Sequence, residues 1–385
     1  MKLSVLILDA DGTQTLPIAE SLHKYDCIIH GFYNHKLSYG YGTRYIEFKK
    51  LVNFSSEKDY VENVLNYIGE FHISVVFPMS DRTAAVVSKY KSRIDGKSHV
   101  VIPGYKTFCL GYDKNSLMRI CLESGVPHPY SIDLRDKRLE DIDTAIFPAL
   151  IKPNITTGGR GMTLVHSLKE FKEKYPDIER RYGDCHLQEF IQGGGRQIKV
   201  QLFVNEKSEL LYWSVLHKQR FYPENGGSSS CNETILDECV VRNCFKVLQN
   251  IHWIGFADFD LIEDTKDGIL KIMEINPRVP ACVKSAIKSG TDYARIYVDF
   301  ALGRPMKEYI SQSGYKLRHI GFEILWFFQS KSRFTAKPSW FHFFGHKMYY
   351  QDFSLKDPLP FLYGTLANIR RQLSPSFRKQ KSGLR

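Results

Sequence analysis

Residues 255–278 read GFADFDLIEDTKDGILKIMEINPR, and their pattern decides the fold. Two strand-like runs, ADFDLI and ILKIMEI, flank a polar turn that contains Asp267-Gly268, which is a hairpin signature. Side chains two apart share one face of a strand, so Asp260 on the first run can meet Glu274 and Asn276 on the second. Two anionic oxygen donors and one neutral one suit magnesium, which also keeps waters and nucleotide phosphates in its shell. A carboxylate inside an apolar run such as IMEIN is costly without a positive partner, so a cation is expected beside Glu274.

Two glycine-rich stretches lie upstream. Residues 147–165, FPALIKPNITTGGRGMTLV, read as a strand ending at Lys152, a stop at Pro153, and a glycine loop leading into a second strand. Glycines let a backbone run close to phosphates and present its N–H groups, and Lys152 adds a point charge for the same phosphates. No GK[ST] opens a helix here, so this is not a Walker A loop. Residues 186–204, HLQEFIQGGGRQIKVQLFV, give a strand, a glycine triplet and a second strand of period-two alternation. Backbone groups of such a connection can hold an adenine edge.

The order Asp113-Lys114, GVPHP, LIKP, TTGGRGM, QEFI and then Asp260 with EINPR is a specific combination. From residue 114 to 305 the chain resembles the ATP-grasp fold, and LHKQRFYPENGGSS (residues 216–229) is similar to a segment of its D-aspartate ligase-like and carbamoyl-phosphate-synthase-like subgroup. The resemblance implies roles by position. Lys114 and Lys152 would contact ATP phosphates, under a lid formed by Thr157, Gly158, Gly159, Arg160, Gly161 and Met162. Gln188, Glu189, Phe190 and Ile191 would form the adenine hinge. Lys218 would reach the γ-phosphate, and Arg278 would steady the transferred phosphoryl group. Asp260, Glu274 and Asn276 would hold two magnesium ions, with manganese as a substitute and Glu274 bridging. Many members carry an acidic ribose ligand after the hinge. Here GGGRQ stands in that place, and Gln197 is the substitute.

The resemblance also implies an activity: ATP-dependent activation of a carboxylate as an acyl phosphate, followed by coupling to an amine. The carboxylate is a small molecule or a cell-envelope precursor. Ser80, Asp81, Arg220 and Arg278 are the candidate substrate contacts. Two alternatives share the pattern or part of it: a kinase or carbamoyl-phosphate/carboxylase-type enzyme on the same fold, and a protein that binds nucleic acid or an anionic surface.

Residues 1–112 alternate short β-branched runs with helical patterns, which argues for a Rossmann-like parallel α/β domain, although no G-x-G-x-x-G follows the first strand. The expected division is 1–112, an ATP-grasp domain at 113–305 with a lid at about 128–187, and an aromatic extension with a basic tail at 306–385. In the 385 residues no apolar stretch approaches a membrane span, the start is not a signal peptide, and eight scattered cysteines signal neither disulfides nor a zinc ribbon. A cytoplasmic protein, as a homo-oligomer, is expected. Of the net charge of +11, six positive charges (Arg370, Arg371, Arg378, Lys379, Lys381 and Arg385) follow the last acidic residue, Asp357. Read alone, that tail is a solvated end rather than a membrane or nucleic-acid contact. No RNA-binding signature supports specific nucleic-acid recognition.

Overall fold

The run SVLIL is apolar throughout because both of its faces are covered: Val5 and Ile7 join one core, Leu6 and Leu8 another. It forms β1 (Ser4–Leu8), the centre of a parallel sheet with β2 (Ile28–Tyr33), β3 (Phe48–Leu51) and β4 (Val75–Pro78), in the order β3-β2-β1-β4. The structure is a computed structural model and describes residues 2–135, 138–156, 159–224 and 227–373. After β4 come two helices, Asp81–Lys89 and Lys91–Asp95, parted at Tyr90.

The helix Lys114–Glu123 follows, capped by Asp113, whose carboxylate accepts the Ser116 N–H at 2.7 Å. Next comes a small antiparallel sheet of β5 (Ser131–Asp133), β6 (Ala149–Pro153), β7 (Thr163–Val165) and β8 (Cys185–Glu189), in the order β5-β8-β6-β7. It has its own core, in which Ile151 and Leu187 meet Phe171 of the helix Leu168–Tyr182. β6 does not stop at Lys152 as expected, because Pro153 pairs with Cys185 of β8. On its other side β7 pairs only up to Ile151, so the missing N–H of Pro153 breaks no ladder.

The third sheet has seven strands: β9 (Gln197–Val204), β10 (Leu210–Tyr222), β11 (Ser228–Ile235), β12 (Gly255–Glu263), β13 (Leu270–Asn276), β14 (Lys316–Arg318) and β15 (Met348–Tyr350). Their order is β13-β12-β9-β10-β11-β14-β15, antiparallel except for β14 with β15. Leu6, Phe32 and Val76 of the first sheet share one core with Val200 and Phe259 of the third and with Trp253, just before β12. The Tyr297 hydroxyl stitches the layers, donating to Val76 O and accepting from Val101 N, both at 2.9 Å.

The aromatic segment is built onto this sheet's edge. Arg318, 1% exposed, donates to Glu323 and to the carbonyls of Trp340 (2.8 Å) and His342 (2.6 Å), while Trp326 is buried. Phe328, Phe334 and Phe344 nonetheless remain largely exposed.

Candidate active site

Register brings the site's carboxylates together. In the β12–β13 hairpin Asp260 lies opposite Glu274, and Asp258 lies opposite Asn276. On its other side Asp260 faces Lys199 of β9. The Lys199 ammonium donates to Asp258 Oδ2 (2.5 Å) and Asp260 Oδ2 (2.8 Å). Lys218 of β10 donates to Asp260 Oδ1, and the Asn276 amide to Asp260 Oδ2 at 3.0 Å. Burial raises the Asp258 carboxyl above the usual carboxylate range, against the pull of Lys199. Burial opposes charge on Asp260 as well, but the ammonium groups of Lys199 and Lys218 more than offset it and hold that carboxyl well below its ordinary value.

The countercharge that the sequence demands for this apolar hairpin is therefore present in the protein itself, as two lysines. Asp260, Glu274 and Asn276 do converge, and hard oxygen donors of this kind fit magnesium. Among the described residues, Asp258 Oδ1 is buried without a hydrogen-bond partner. Glu274 is the freer carboxylate; its ion-pair partner, Lys114, stands 3.7 Å away. A cation at Asp260 has to displace ammonium groups, and among the described residues no group of three or more Asp, Glu, His or Cys side chains forms a ready metal cage.

A second group of residues lies between the small sheet and this hairpin. Lys152 is fully inside β6 and donates to Gln188 Oε1 at 2.5 Å. Burial pulls its ammonium down to about 8; Glu274 opposes that shift and Lys114 adds to it. Lys114 opens its helix and donates to Thr156 O at 2.7 Å. In the glycine loop Gly159 and Gly161 have φ of +72° and +74°. A Cβ at Gly161 would sit 2.7 Å from the Tyr182 ring and 2.8 Å from Pro153, so only glycine fits there. Arg160 and Met162 continue the loop into β7; Thr157 and Gly158 lie outside the described residues.

Beyond β8 the Phe190 N–H donates to Pro148 O at 3.1 Å, and Ile191 is buried. The Glu189 carboxylate accepts from Tyr130 N and from Lys271 Nζ, each at 3.0 Å, so it pins the connection. Lys271 also donates to Asp264 (2.7 Å). Gln197 starts β9 beside Lys218 and Ile262.

At the carboxyl ends of the parallel strands, Ser80 caps the helix Asp81–Lys89 and donates to Asp9 at 2.5 Å. Arg82 donates to both oxygens of Asp9 and to Asn34, and Asn34 donates to Asp9 and Asp11. Asp81 accepts from Arg278 Nε at 3.0 Å, a link between the helix after β4 and the end of the hairpin. Arg220 is not gathered here. It is 4% exposed, lies over the Trp326 ring at 4.7 Å, pairs with Glu323 at 3.5 Å and donates to Pro338 O at 3.1 Å.

Sequence reading missed Lys199, Asp258, Lys271, Asp9, Asn34 and Arg82. A signal existed for one of them, Asp9: DADG directly follows the first strand, at the sheet end where α/β proteins bind ligands. Lys199 gave none, because its partners lie about sixty residues away in sequence.

A family model described as "Carbamoyl-phosphate synthase L chain, ATP binding domain" matches residues 113–309, about half of the chain. The chain belongs to the ATP-grasp family. A carbamoyl phosphate synthase large chain, C-terminal section, from Methanopyrus kandleri is 19% identical over 281 residues, covering 70% of this chain and 49% of that protein. The chain thus spans about half of that relative's length. A D-aspartate ligase from Enterococcus faecium is 23% identical over 301 residues, covering 69% of this chain and 70% of the ligase. Among solved structures, the biotin carboxylase domain of the Hydrogenobacter thermophilus 2-oxoglutarate carboxylase, in complex with MgADP, ADP and bicarbonate, has a TM-score of 0.68 at 15% identity. That likeness covers 82% of this chain and 74% of that one, and it shows the shared ATP-grasp fold.

Proposed function

We propose that this ATP-grasp chain is a ligase that uses ATP and magnesium to activate a carboxylate as an acyl phosphate, then couples it to an amine. The observation that carries this reading is the meeting of Lys114 and Lys152 with Glu274, beside the Lys218–Asp260 pair. Phosphate-binding cations and metal-binding carboxylates thus face one space. The family supplies ATP as the nucleotide, and the D-aspartate ligase relative favours an amide product.

A free carboxylate resists an amine because oxide is a poor leaving group. In the first step a carboxylate oxygen attacks the γ-phosphorus; a bond to that oxygen forms, and the bond to the β-γ bridging oxygen breaks, releasing ADP. In the second step the amine attacks the acyl carbon and phosphate leaves with the bonding pair. The proton shed by the amine passes to phosphate or water. The protein positions the reactants and neutralises charge.

In this reading Lys114 and Lys152 hold phosphates already in the ground state. Lys218 leaves Asp260 to follow the charge that grows on the γ-phosphoryl group. Arg278, fixed by Asp81, steadies the transferred group, and Gln188 to Ile191 border the adenine. Asp260, Glu274 and Asn276 would hold magnesium, which supplies Lewis-acid neutralisation of the phosphate oxygens. The glycine loop excludes water that would hydrolyse the acyl phosphate. The polar group of Asp9, Asn34, Ser80 and Arg82 is the place for the carboxylate or amine substrate. ATP as a substrate favours a cytoplasmic setting in this reading.

Pairs of carboxylic acids and amines, screened for ADP and phosphate release with product analysis, test the reading. A new amide that needs both partners supports it. Phosphate retained on the acceptor would instead identify a kinase on the same scaffold.

A further inference from the structure

The helix Leu359–Leu373 has two apolar faces, and the fold uses one. On the used face, Gly364 lies so close to the Tyr39 ring that a Cβ would stand 2.1 Å from it. Pro360 packs on Gly42, and the Asn368 amide donates to the Tyr39 hydroxyl at 3.0 Å. Residues 360, 364 and 368 fall four apart, so this docked stripe runs along the helix.

Across the helix runs a second stripe: Leu359, Leu362, Leu366, Ile369 and Leu373, spaced three, four, three, four. All five are half or more exposed, from 50% at Leu359 to 71% at Leu373. A strict row of large aliphatic side chains on the solvent side of a docked helix is an unfilled surface, not scattered exposure.

Charge says what covers it. Residues 358–385 contain no acidic residue, and they carry six positive charges, of which Arg370 and Arg371 stand in the last turn of this helix. Arg370 borders the aliphatic stripe at helical spacing. Two copies joined along this stripe would bring like charges together with no acidic partner across the seam. An anionic lipid surface complements both features at once: the stripe enters the acyl boundary and the arginines meet the headgroups. A 15-residue helix is about 22 Å long, short of a bilayer's hydrocarbon core. Among the described residues no helix is long and apolar enough to cross a membrane, so this one lies in the interface.

We propose that the helix Leu359–Leu373 docks this protein onto an anionic membrane surface through its leucine stripe and flanking arginines. This changes the expectation from sequence, where the basic end read as merely solvated. The sequence showed the charges; only the structure shows that the aliphatic stripe beside them is uncovered. The inference stands apart from the nucleotide chemistry.

Co-sedimentation of the full chain with phosphatidylcholine vesicles, with and without phosphatidylserine, at physiological salt is the test. The wild-type chain binds the anionic vesicles roughly tenfold or more tightly than the neutral ones. Leu362→Gln with Leu366→Gln lowers that binding roughly tenfold or more, and so does Arg370→Gln with Arg371→Gln. The arginine pair is exposed in the last turn and keeps the test decisive if the leucine variant unfolds. The proposal is overturned if the wild-type chain ignores anionic vesicles, if it binds neutral ones equally, or if both variants bind as the wild type does. It is equally overturned if sedimentation shows a dimer that Leu362→Gln with Leu366→Gln dissociates, since the stripe then serves a second copy.

Discussion

Lys199 and Asp258 form a buried ion pair, with Nζ 2.5 Å from Oδ2, and the carboxylate side chain wholly out of solvent. Removing one member of such a pair strands the other. Lys199→Met should therefore lower stability by about 3 kcal/mol. Adding Asp258→Asn to that variant should restore a large part of the loss, because the stranded charge is gone. Urea unfolding of the wild type, both single variants and the double variant gives the cycle. Additive losses would show that the pair is not coupled.

Lys152 and Lys218 differ in surroundings and should differ in kinetics. Lys152 is enclosed and hydrogen-bonded to Gln188, whereas Lys218 reaches across to Asp260. Lys152→Met should raise KM for ATP about tenfold, a loss of about 1.4 kcal/mol in binding. Lys218→Met should leave KM near normal and lower kcat on the order of a hundredfold. Steady-state kinetics separates the two; identical defects would contradict the division of roles.

Gly161 carries a positive φ with the Tyr182 ring and Pro153 on either side of its absent Cβ. Gly161→Ala should distort the loop at a cost of about 2 kcal/mol. ATP affinity should fall with it, while Gly183→Ala, also at positive φ but with open space around it, should affect stability alone. Calorimetric titration with ATP compares the two variants.

His30 and His186 are both buried, and burial pulls them from 6.5 to about 4 and about 3. Between those values and 6.5 the unfolded chain takes up protons that the folded chain refuses. Stability is therefore complete above pH 6.5 and falls as pH drops towards 4, by about 1.4 kcal/mol per unit for each histidine. His30→Gln should weaken that dependence by about 1.4 kcal/mol per pH unit. Unfolding free energies at pH 5 and pH 7.5 check it.

How much of this was legible in the sequence depends on how local each signal is. The β12–β13 hairpin shows in residues 255–278 because alternation and the Asp267-Gly268 turn lie within one short window. Glu274 and Asn276 could be placed relative to Asp260 for the same reason. Lys199 could not, since its meeting with Asp258 and Asp260 depends on the register of β9 against β12. Arg220 read as a substrate contact inside LHKQRF, but residues 323–338 fold back over it and take its guanidinium. β3, with sequence FKKL, has no periodic signal at all and exists by pairing with β2. The exposed leucine stripe was beyond sequence reading too, because spacing alone does not say which of two apolar faces is docked.

The central claim is that ATP and magnesium meet at Glu274 and Asp260. Isothermal titration of the protein with ATP, run with magnesium and with chelator, tests it most directly, repeated on Glu274→Gln. The account predicts saturable binding in magnesium, a melting temperature raised by the bound nucleotide, and loss of most of both with chelator or in the variant. No heat and no thermal shift at millimolar ATP with magnesium, or full metal-dependent binding by Glu274→Gln, would contradict it.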